Sequence, residues 1–547
     1  MNSSKRPGLI ARENRGDPQT TRQWLALLAD RNSGERLWQP IYGDVPELWR
    51  EKAKAVEQLL LTHQREFGAD RPVWLLRVPA RINLMGVHIE HRGGWVNYLP
   101  IHRDTWFAVS PRDDHRLLFQ NVDSRYQPFA VELADHPLAW RSTDWLDFLE
   151  KVEVERGHWR NYVQGVALYL SHLLREPVRG ANATVWGDIP PAAGLSSSSA
   201  LVVGAGEALL AVNSLDLEAD SKPEHYGLAE WYVGTRGGAG DHAAMVLGKR
   251  GQILHLQFFP IRYSHVPLPS GYAVVAINSL HSAAKSDGVR HVFNEKIVAY
   301  EIGFRLIRKN HSELADRLHH LRDVNADHLG ISQADVYRLL RELPMTISRA
   351  EAVARLGDEA KPLERLFKMH PEPMTGYEVR GVCFFGLAEC DRGKLAAELL
   401  ESGRIHEFGR LMYISHDGDR IARRNAEGYR PWQAPVDDAA LDALIELSES
   451  ANPLDREQAR LAYQPGGYRC SVLELDEIVD IARRVEGVVG AGLTGAGLGG
   501  MVLALTEAEA APRLLEVLKE RYYAPRGLEP AAEVCVPAAG AGFLSAP

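Results

Sequence analysis

The stretch that most constrains this chain is Gly187–Leu201, which reads Gly-Asp-Ile-Pro-Pro-Ala-Ala-Gly-Leu-Ser-Ser-Ser-Ser-Ala-Leu. The two prolines end the preceding element, and Gly194 permits a tight turn of the backbone. The small and aliphatic residues that follow, up to Val212, predict a buried helix that begins near Ser197. The first turn of such a helix presents backbone N–H groups and a positive dipole end, which suit a phosphate group. Taken alone, the stretch fits a serine-rich turn before a core helix equally well.

The charge and composition of the chain limit its partners. The net charge of −9 is spread over 547 residues without a basic run, so nucleic acid is not expected as a partner. The four cysteines are scattered and form no CxxC pair, so neither a zinc site nor a disulfide framework is predicted. The N-terminus lacks an apolar signal segment and no stretch is long enough to span a bilayer, which favours a cytoplasmic protein without a membrane partner. A monomer and a dimer are both compatible with the sequence.

The order of predicted elements divides the chain into three parts. Residues 1–70 are predicted to form an N-terminal extension that is partly helical. Residues 71–279 alternate short apolar strands with helices, whereas 280–547 are more helical and end in an α/β pattern. The predicted helices include 20–30, 46–67 and 394–402, the predicted strands include 95–101 and 106–109, and the predicted insertions are 310–375 and 417–465.

A second glycine-bearing segment runs from Arg77 to Gly94. It places Arg81, His88 and Glu90 on a predicted strand and the turn after it, where these three polar side chains could bind a polyol through hydrogen bonds. A surface hairpin with charged edges is the alternative interpretation of this segment.

A third segment, Gly492–Leu505, contains Gly495 and Gly497 in a GxGxxG-like run. A strand rather than a helix is predicted after these glycines, so the geometry of a Rossmann dinucleotide site does not apply. We interpret the run as a loop that supports another phosphate loop. The chain also lacks GxxxxGK[ST], and its one HRD sequence, at residues 102–104, is not accompanied by DFG, so P-loop and protein-kinase mechanisms lack their parts.

A fourth segment, Ala229–Ala244, places Glu230 at the end of a predicted helix and Asp241 after a glycine loop. Phosphoryl transfer needs a metal held by oxygen ligands, a cation near the developing charge and a carboxylate near the attacking hydroxyl. Ser198 with Glu230 would supply the metal ligands. Arg81 would supply the cation, and Asp241 the carboxylate. An isolated aspartate after glycines is more often a turn residue, so the joint occurrence carries the hypothesis.

These segments resemble the GHMP small-molecule kinases, and most of all their galactokinase branch. The matching sequences, in the order of that family, are Pro-Ala-Arg-Ile-Asn-Leu-Met-Gly-x-His from Pro79, Gly-Leu-Ser-Ser-Ser from Gly194 and Thr-Gly-Ala-Gly-Leu-Gly-Gly from Thr494, with further matches at Phe408–Met412, Ser415-His416 and Cys470–Asp476. The resemblance implies an α+β, two-domain GHMP kinase fold. Its N-terminal domain would have a mixed sheet, like the second domain of ribosomal protein S5, and would carry the sugar and ATP loops. Its C-terminal domain would be a ferredoxin-like α/β sandwich with helical insertions.

The resemblance also implies roles for matching residues, with ATP and Mg²⁺ as cofactors and a small sugar as substrate. Asp241 matches the catalytic aspartate that accepts the proton of the anomeric hydroxyl, and Arg81 matches the arginine that keeps this aspartate ionised. Ser198 and Glu230 match the Mg²⁺ ligands. The positions that match the ATP loops are Gly194, Leu195, Ser196, Ser197, Ser198, Gly495 and Gly497. The positions that match sugar contacts are Val87, His88, Glu90 and Gly238.

Two departures from the galactokinases concern the sugar. Galactokinases read Gly-Glu-His-Thr-Asp-Tyr where this chain reads Gly86-Val-His-Ile-Glu-His91, so Val87 replaces the glutamate that contacts the C6 hydroxyl. The later tyrosine that contacts the sugar has no counterpart in residues 281–288. The first motif is also similar to that of plant galacturonokinases, and valine, unlike glutamate, would not repel a C6 carboxylate.

Several functions therefore stay open at the level of the sequence. A sugar 1-kinase could act on galactose with Glu90 reaching across, on galacturonate, or on an aldose such as arabinose that lacks the C6 hydroxyl. A non-catalytic sugar and nucleotide sensor is an alternative from another class. A structural interaction protein, with the N-terminal helices and insertions as docking surfaces, is a third.

Overall fold

The computed structural model describes residues 9–11, 18–30, 33–136, 144–155, 157–191, 193–234, 237–281, 287–368 and 370–545. They form two compact units. The first unit comprises the described residues up to Ile82, Tyr98–Leu254 and the chain from Val536, and the second comprises Asn83–Asn97 and His255–Cys535. The boundaries of these units differ from those of the predicted domains. Residues Asn83–Asn97 belong to the second unit, and the chain from Val536 returns to the first.

The strands, numbered in chain order, are β1 Leu9–Ala11, β2 Gln19–Thr20, β3 Pro72–Met85, β4 Trp95–Pro111, β5 Arg116–Asn121, β6 Phe129–Glu132, β7 Ala181–Gly187, β8 Leu215–Leu217, β9 Gln252–Gln257, β10 Arg262–Pro267, β11 Tyr272–Asn278, β12 Ala422–Asn425, β13 Gly428–Pro431, β14 Val488–Thr494, β15 Met501–Glu507, β16 Ala532–Cys535 and β17 Gly542–Phe543.

The α-helices are α1 Thr21–Ala29, α2 Ser33–Tyr42, α3 Pro46–Phe67, α4 Trp145–Lys151, α5 Arg160–Leu174, α6 Ser197–Val212, α7 Lys222–Glu230, α8 Gly240–Leu247, α9 Asp287–Asn310, α10 Ala326–Leu329, α11 Gln333–Glu342, α12 Arg349–Leu356, α13 Leu363–Phe367, α14 Val379–Glu401, α15 Ile405–Asp419, α16 Asp438–Glu449, α17 Pro453–Gln458, α18 Leu473–Ala482 and α19 Ala511–Leu518. Within the described ranges, no helix combines the length and the apolarity needed to cross a membrane.

The first unit is built on a mixed sheet with the strand order β9-β4-β7-β5-β6, in which β3 lies beside β4. Strands β5 and β7 are parallel, whereas β4 and β7 are antiparallel. The chain leaves β7 at Gly187 and enters the buried helix α6 at Ser197, so the predicted start of this helix is confirmed. The sheet and α6 therefore fix both ends of the serine stretch.

The N-terminal helices belong to the core of the first unit. Helix α3 has Pro46 in its first turn and ends at Gly68, whose φ of +95° suits a residue without a side chain. Its apolar face packs into a buried cluster with α2 and the sheet; members include Trp38, Leu48, Val56, Leu59, Leu60, Val73 and Trp106. The predicted helices over 20–30 and 46–67 are thus confirmed.

A buried charge cluster ties these helices to the sheet. The Lys52 ammonium lies 3.0 Å from Asp104 and 2.7 Å from Asp188. Arg77 pairs with the other oxygen of Asp104 at 2.6 Å, and Tyr42 donates to Asp104 at 2.5 Å. Each buried charge meets an opposite charge, which offsets the cost of removing it from water. The N-terminal extension is therefore an integral layer of the unit.

The second unit contains the antiparallel sheet β14-β15-β11-β16. Helices α18 and α19 cover this sheet through a buried apolar cluster that includes Val275, Leu475, Ile478, Val502 and Leu514. A larger helical cluster, which involves α9, α11, α12, α13, α14 and α16, supplies the rest of the core. The predicted helix 394–402 is in fact the end of α14, which begins at Val379.

Candidate active site

The serine stretch forms a left-handed turn immediately before α6. Gly194 has a φ of +83°, and Ser196, which occupies the position just before the helix, has a φ of +59°. Leu195 is fully buried and anchors the turn. The Ser196 hydroxyl donates a hydrogen bond to Oδ2 of Asp241. The turn thereby joins the start of α6 to the first turn of α8.

Arg81 completes this cluster from strand β3. Its Nε donates to Oδ1 of Asp241 at 2.6 Å, and its Nη1 donates to the carbonyl oxygen of Gly194 at 2.6 Å. The Arg81 side chain is only 8% exposed, whereas that of Asp241 is 27% exposed. Asp241 is therefore held from both oxygens and still reaches solvent.

Two opposing effects set the pKa of Asp241. Burial raises it, but the positive charge of Arg81 and the hydrogen bonds from Arg81 and Ser196 outweigh burial, so the pKa lies below its usual value. Asp241 is consequently ionised at neutral pH. Its favourable contribution to stability is present above the ordinary pKa of the unfolded chain and is lost as the pH falls through the lower folded value.

Glu230, the last residue of α7, lies beside the first turns of α6 and α8. Its Oε2 accepts a hydrogen bond from the Ser199 hydroxyl at 2.9 Å and lies 2.7 Å from Nε2 of His242. The Glu230 side chain is 14% exposed. Mg²⁺ takes carboxylate and hydroxyl oxygens as ligands when phosphate and water complete its coordination shell. Glu230 and the serines at the start of α6 are therefore suitable ligands for the predicted ion.

The motif segment after Arg81 continues into the second unit. Val87 belongs to the apolar core of this unit and is 5% exposed. His88 has a φ of +64°, and its ring stacks on Tyr468 at 4.1 Å between centroids. Its Nε2 lies 3.3 Å from Oδ2 of the fully buried Asp419. Glu90 is half-buried and begins a short 3₁₀ turn.

The third glycine segment forms a tight loop between β14 and β15, so a strand follows the glycines, as predicted. Gly495 and Gly497 both have positive φ angles, +82° and +76°. A Cβ atom on Gly497 would lie 2.3 Å from the carbonyl oxygen of Cys470, which also accepts the N–H of Leu498 at 2.7 Å. Only glycine fits this approach of two backbones.

The structure thus separates the predicted site residues into two groups. In the first unit it brings Arg81, Gly194, Ser196 and Asp241 together, with Glu230 beside Ser199; Gly238 is half-buried just before α8. In the second unit lie Val87, His88, Glu90, Gly495 and Gly497. The contacts that the sequence analysis missed are those of Ser199, His242, Glu389, Asp419 and Tyr468.

Comparison with known protein families gives three matches along the chain. Residues 161–249 match the GHMP kinases N terminal domain, 440–524 match the GHMP kinases C terminal domain, and 61–111 match the galactokinase galactose-binding signature. Two similar proteins are galactokinases. That of Chloroflexus aggregans is 26% identical over 490 residues, which cover 88% of this chain and 96% of the relative. That of Dictyostelium discoideum is 24% identical over 491 residues, which cover 88% and 90%.

A solved structure gives the same fold. The crystal structure of Lactococcus lactis galactokinase complexed with galactose superposes with a TM-score of 0.61 at 20% identity. The match covers 88% of this chain and 97% of that protein. The predicted α+β, two-domain fold and the predicted family resemblance are confirmed by these matches.

Proposed function

We propose that this phosphotransferase, which belongs to the galactokinase branch of the GHMP kinases and acts on a sugar hydroxyl, uses ATP as its phosphoryl donor. It transfers the γ-phosphoryl group to the anomeric hydroxyl of galactose or of a C6-altered relative such as galacturonate. The product is the sugar 1-phosphate. The observation that carries this proposal is the cluster of Asp241, Arg81 and Ser196 at the start of α6.

In the reaction, the anomeric oxygen forms a bond to the γ-phosphorus while the bond to the β–γ bridging oxygen breaks. Asp241 is ionised, so it can accept the proton of the attacking hydroxyl and hold that oxygen in line with the phosphorus. Arg81 keeps Asp241 ionised and fixes the orientation of its carboxylate. The guanidinium is itself held in place by its hydrogen bond to the carbonyl oxygen of Gly194. Its charge also favours the negative charge that develops on the phosphoryl oxygens.

The start of α6 is the proposed triphosphate site. The backbone N–H groups of its first turn have no partner within the helix, and the positive end of the helix dipole lies at the same place. The hydroxyls of Ser197 and Ser198 add further donors. Glu230, with Ser198 or Ser199, would hold Mg²⁺, which neutralises charge on the phosphate oxygens when bound.

Replacing Glu230 with Gln should raise the Mg²⁺ concentration needed for half-maximal activity by about tenfold or more, because an amide oxygen is a weaker ligand than a carboxylate. The measurement is a Mg²⁺ titration of initial rates at saturating ATP. Glu224→Gln is the matched control, since Glu224 is an exposed residue of the same helix. Equal Mg²⁺ requirements in the Glu230 variant and the control would contradict this role.

The sugar is tested by a coupled ADP-release assay over galactose, galacturonate, glucuronate, arabinose, fucose and N-acetylgalactosamine. We expect galactose or a relative altered only at C6 to give the highest kcat/KM. Glucuronate serves as the control for the orientation of the C4 hydroxyl. If no aldose stimulates ADP release, the sugar 1-kinase proposal is wrong and a sensor that binds sugar without turnover becomes the better description.

A further inference from the structure

We propose that Glu389 of α14 is a positioning residue for the loop Gly86–Glu90; as a claim about sugar binding, this rests on the proposed function. Its Oε1 accepts two backbone hydrogen bonds, from the N–H of Gly86 at 2.8 Å and from the N–H of Val87 at 3.1 Å. The Glu389 side chain is completely buried. One carboxylate oxygen thus holds two consecutive amides of the loop that carries the expected sugar contacts.

A second buried charge fixes the orientation of Glu389. Nε of Arg392 donates to the other carboxylate oxygen at 2.6 Å, and Arg392 is itself fully buried. Arg392 Nη1 donates to the carbonyl oxygen of Gln464 at 2.6 Å, so the guanidinium is held on its far side. Buried ion pairs often add little to stability compared with apolar residues of similar size. We therefore infer that the role of this pair is to hold the Gly86 and Val87 amides rather than to stabilise the fold.

The same stretch of α14 also contacts the start of β4. The Asn97 amide donates to the carbonyl oxygens of Gly393 and Met85, each at 3.2 Å. A Cβ atom on Gly393 would lie 2.1 Å from the carbonyl oxygen of Trp95, so only glycine permits this approach. The segment Glu389–Gly393 is thus a platform that fixes both ends of the hairpin between β3 and β4.

The residue after these two amides shows why the loop needs support. His88 adopts a φ of +64°, a conformation that costs energy for any residue with a side chain and persists only where its surroundings hold it. The bonds from Glu389 to Gly86 and Val87 fix the backbone immediately before this strained position. Displacing a binding group by about 1 Å can reduce activity by about a hundredfold, so sugar binding is expected to depend on Glu389.

The proposal is tested first by hydrogen exchange, which does not depend on activity. In Glu389→Gln the exchange of the Gly86 and Val87 amides should accelerate by about tenfold or more, because a neutral acceptor replaces a charged one. Glu389→Asp keeps the charge near Arg392 but is one methylene shorter, and it should show the same acceleration because it cannot reach both amides. Thermal unfolding identifies any variant that fails to fold.

The second readout is steady-state kinetics with the preferred sugar. Both Glu389 variants should raise the KM for the sugar by about tenfold, with the KM for ATP changed by less than about twofold. Asp323→Asn is the matched control. This carboxylate is also buried, and one of its oxygens accepts the N–H groups of His319 at 2.9 Å and His320 at 2.7 Å, in the same unit but in another loop. It should change neither the exchange of Gly86 and Val87 nor the KM for the sugar.

Unchanged exchange at Gly86 and Val87 in a folded Glu389 variant would overturn the proposal. Faster exchange with an unaltered KM for the sugar would overturn it too, since loosening the loop would then have no effect on sugar binding. A wild-type chain that phosphorylates no sugar contradicts the proposed function, and the exchange experiment still decides whether Glu389 holds the loop.

Discussion

Replacing Asp241 with Asn is expected to lower kcat by about a thousandfold, the range in which general acid–base groups contribute. Asparagine has nearly the same shape, and its amide oxygen can still accept a hydrogen bond from Ser196 or Arg81. It cannot take a proton from the sugar hydroxyl, and it leaves the Arg81 charge without its partner. The measurement is kcat with the preferred sugar, together with the thermal unfolding midpoint.

The control for this variant is Asp114→Asn. Asp114 also pairs with an arginine, Arg112, at 2.5 Å in the first unit, but it is 48% exposed and contacts none of the proposed site residues. Its replacement should leave kcat unchanged. Turnover by a folded Asp241→Asn variant at a rate close to wild type would show that the carboxylate plays no part in the chemistry.

Replacing Arg81 with Met is expected to lower kcat by about a hundredfold or more, because one preorganised charge is lost from the reacting centre. It should also move the pH dependence in a defined direction. In the wild type Arg81 holds the pKa of Asp241 below its usual value, so activity falls only as the pH drops through that low value. Without Arg81 the effect of burial is offset less, so the pKa of Asp241 rises. The acidic limb of the pH profile of kcat/KM, which reports groups of the free enzyme, therefore shifts to higher pH.

Arg81→Lys separates charge from geometry. Lysine keeps the positive charge near Asp241 but cannot reproduce the paired contacts that Nε and Nη1 make to Asp241 and Gly194. Its acidic limb should therefore stay near that of the wild type while kcat falls. An Arg81→Met profile whose acidic limb coincides with that of the wild type would mean that Arg81 does not control the ionisation of Asp241.

The sequence alone predicted the bounds of a helix where proline, glycine or serine residues mark its ends. Helix α3 is predicted over its full length because Pro46 begins it and Gly68 ends it. The start of α6 follows in the same way from the prolines, Gly194 and the serines. In these cases the boundary lies in the chemistry of a few adjacent residues, so no tertiary information is needed.

Other elements were predicted incompletely because burial removes the pattern. The residues of α14 from Val379 to Glu389 are all buried, so this part shows no alternation of polar and apolar faces, and only the end of the helix was predicted. Strand β4 was predicted as two runs because His102-Arg103-Asp104 interrupts the apolar sequence. Asp104 is nevertheless fully buried, since Lys52 and Arg77 neutralise it there.

In the candidate site, too, local motifs predicted some contacts, whereas contacts between residues distant in the sequence were missed. The motifs placed Arg81 and Asp241 together, and the structure shows their contact. Glu230 accepts a hydrogen bond from Ser199, and a run of four serines does not reveal which of them makes this contact. Glu389 lies 303 residues from Gly86 in the sequence, and a single glutamate within an apolar helix gives no local sign of the amides it holds.

The most direct test of the proposed reaction is phosphorus-31 NMR of the chain incubated with Mg²⁺, ATP and the preferred sugar. The proposal predicts that the γ-phosphate signal of ATP is replaced by signals of ADP and of a phosphomonoester coupled to the anomeric proton, and that Asp241→Asn shows no such change on the same time scale. A phosphomonoester coupled to any other sugar proton would contradict transfer to the anomeric hydroxyl. Release of inorganic phosphate alone would contradict the transfer itself.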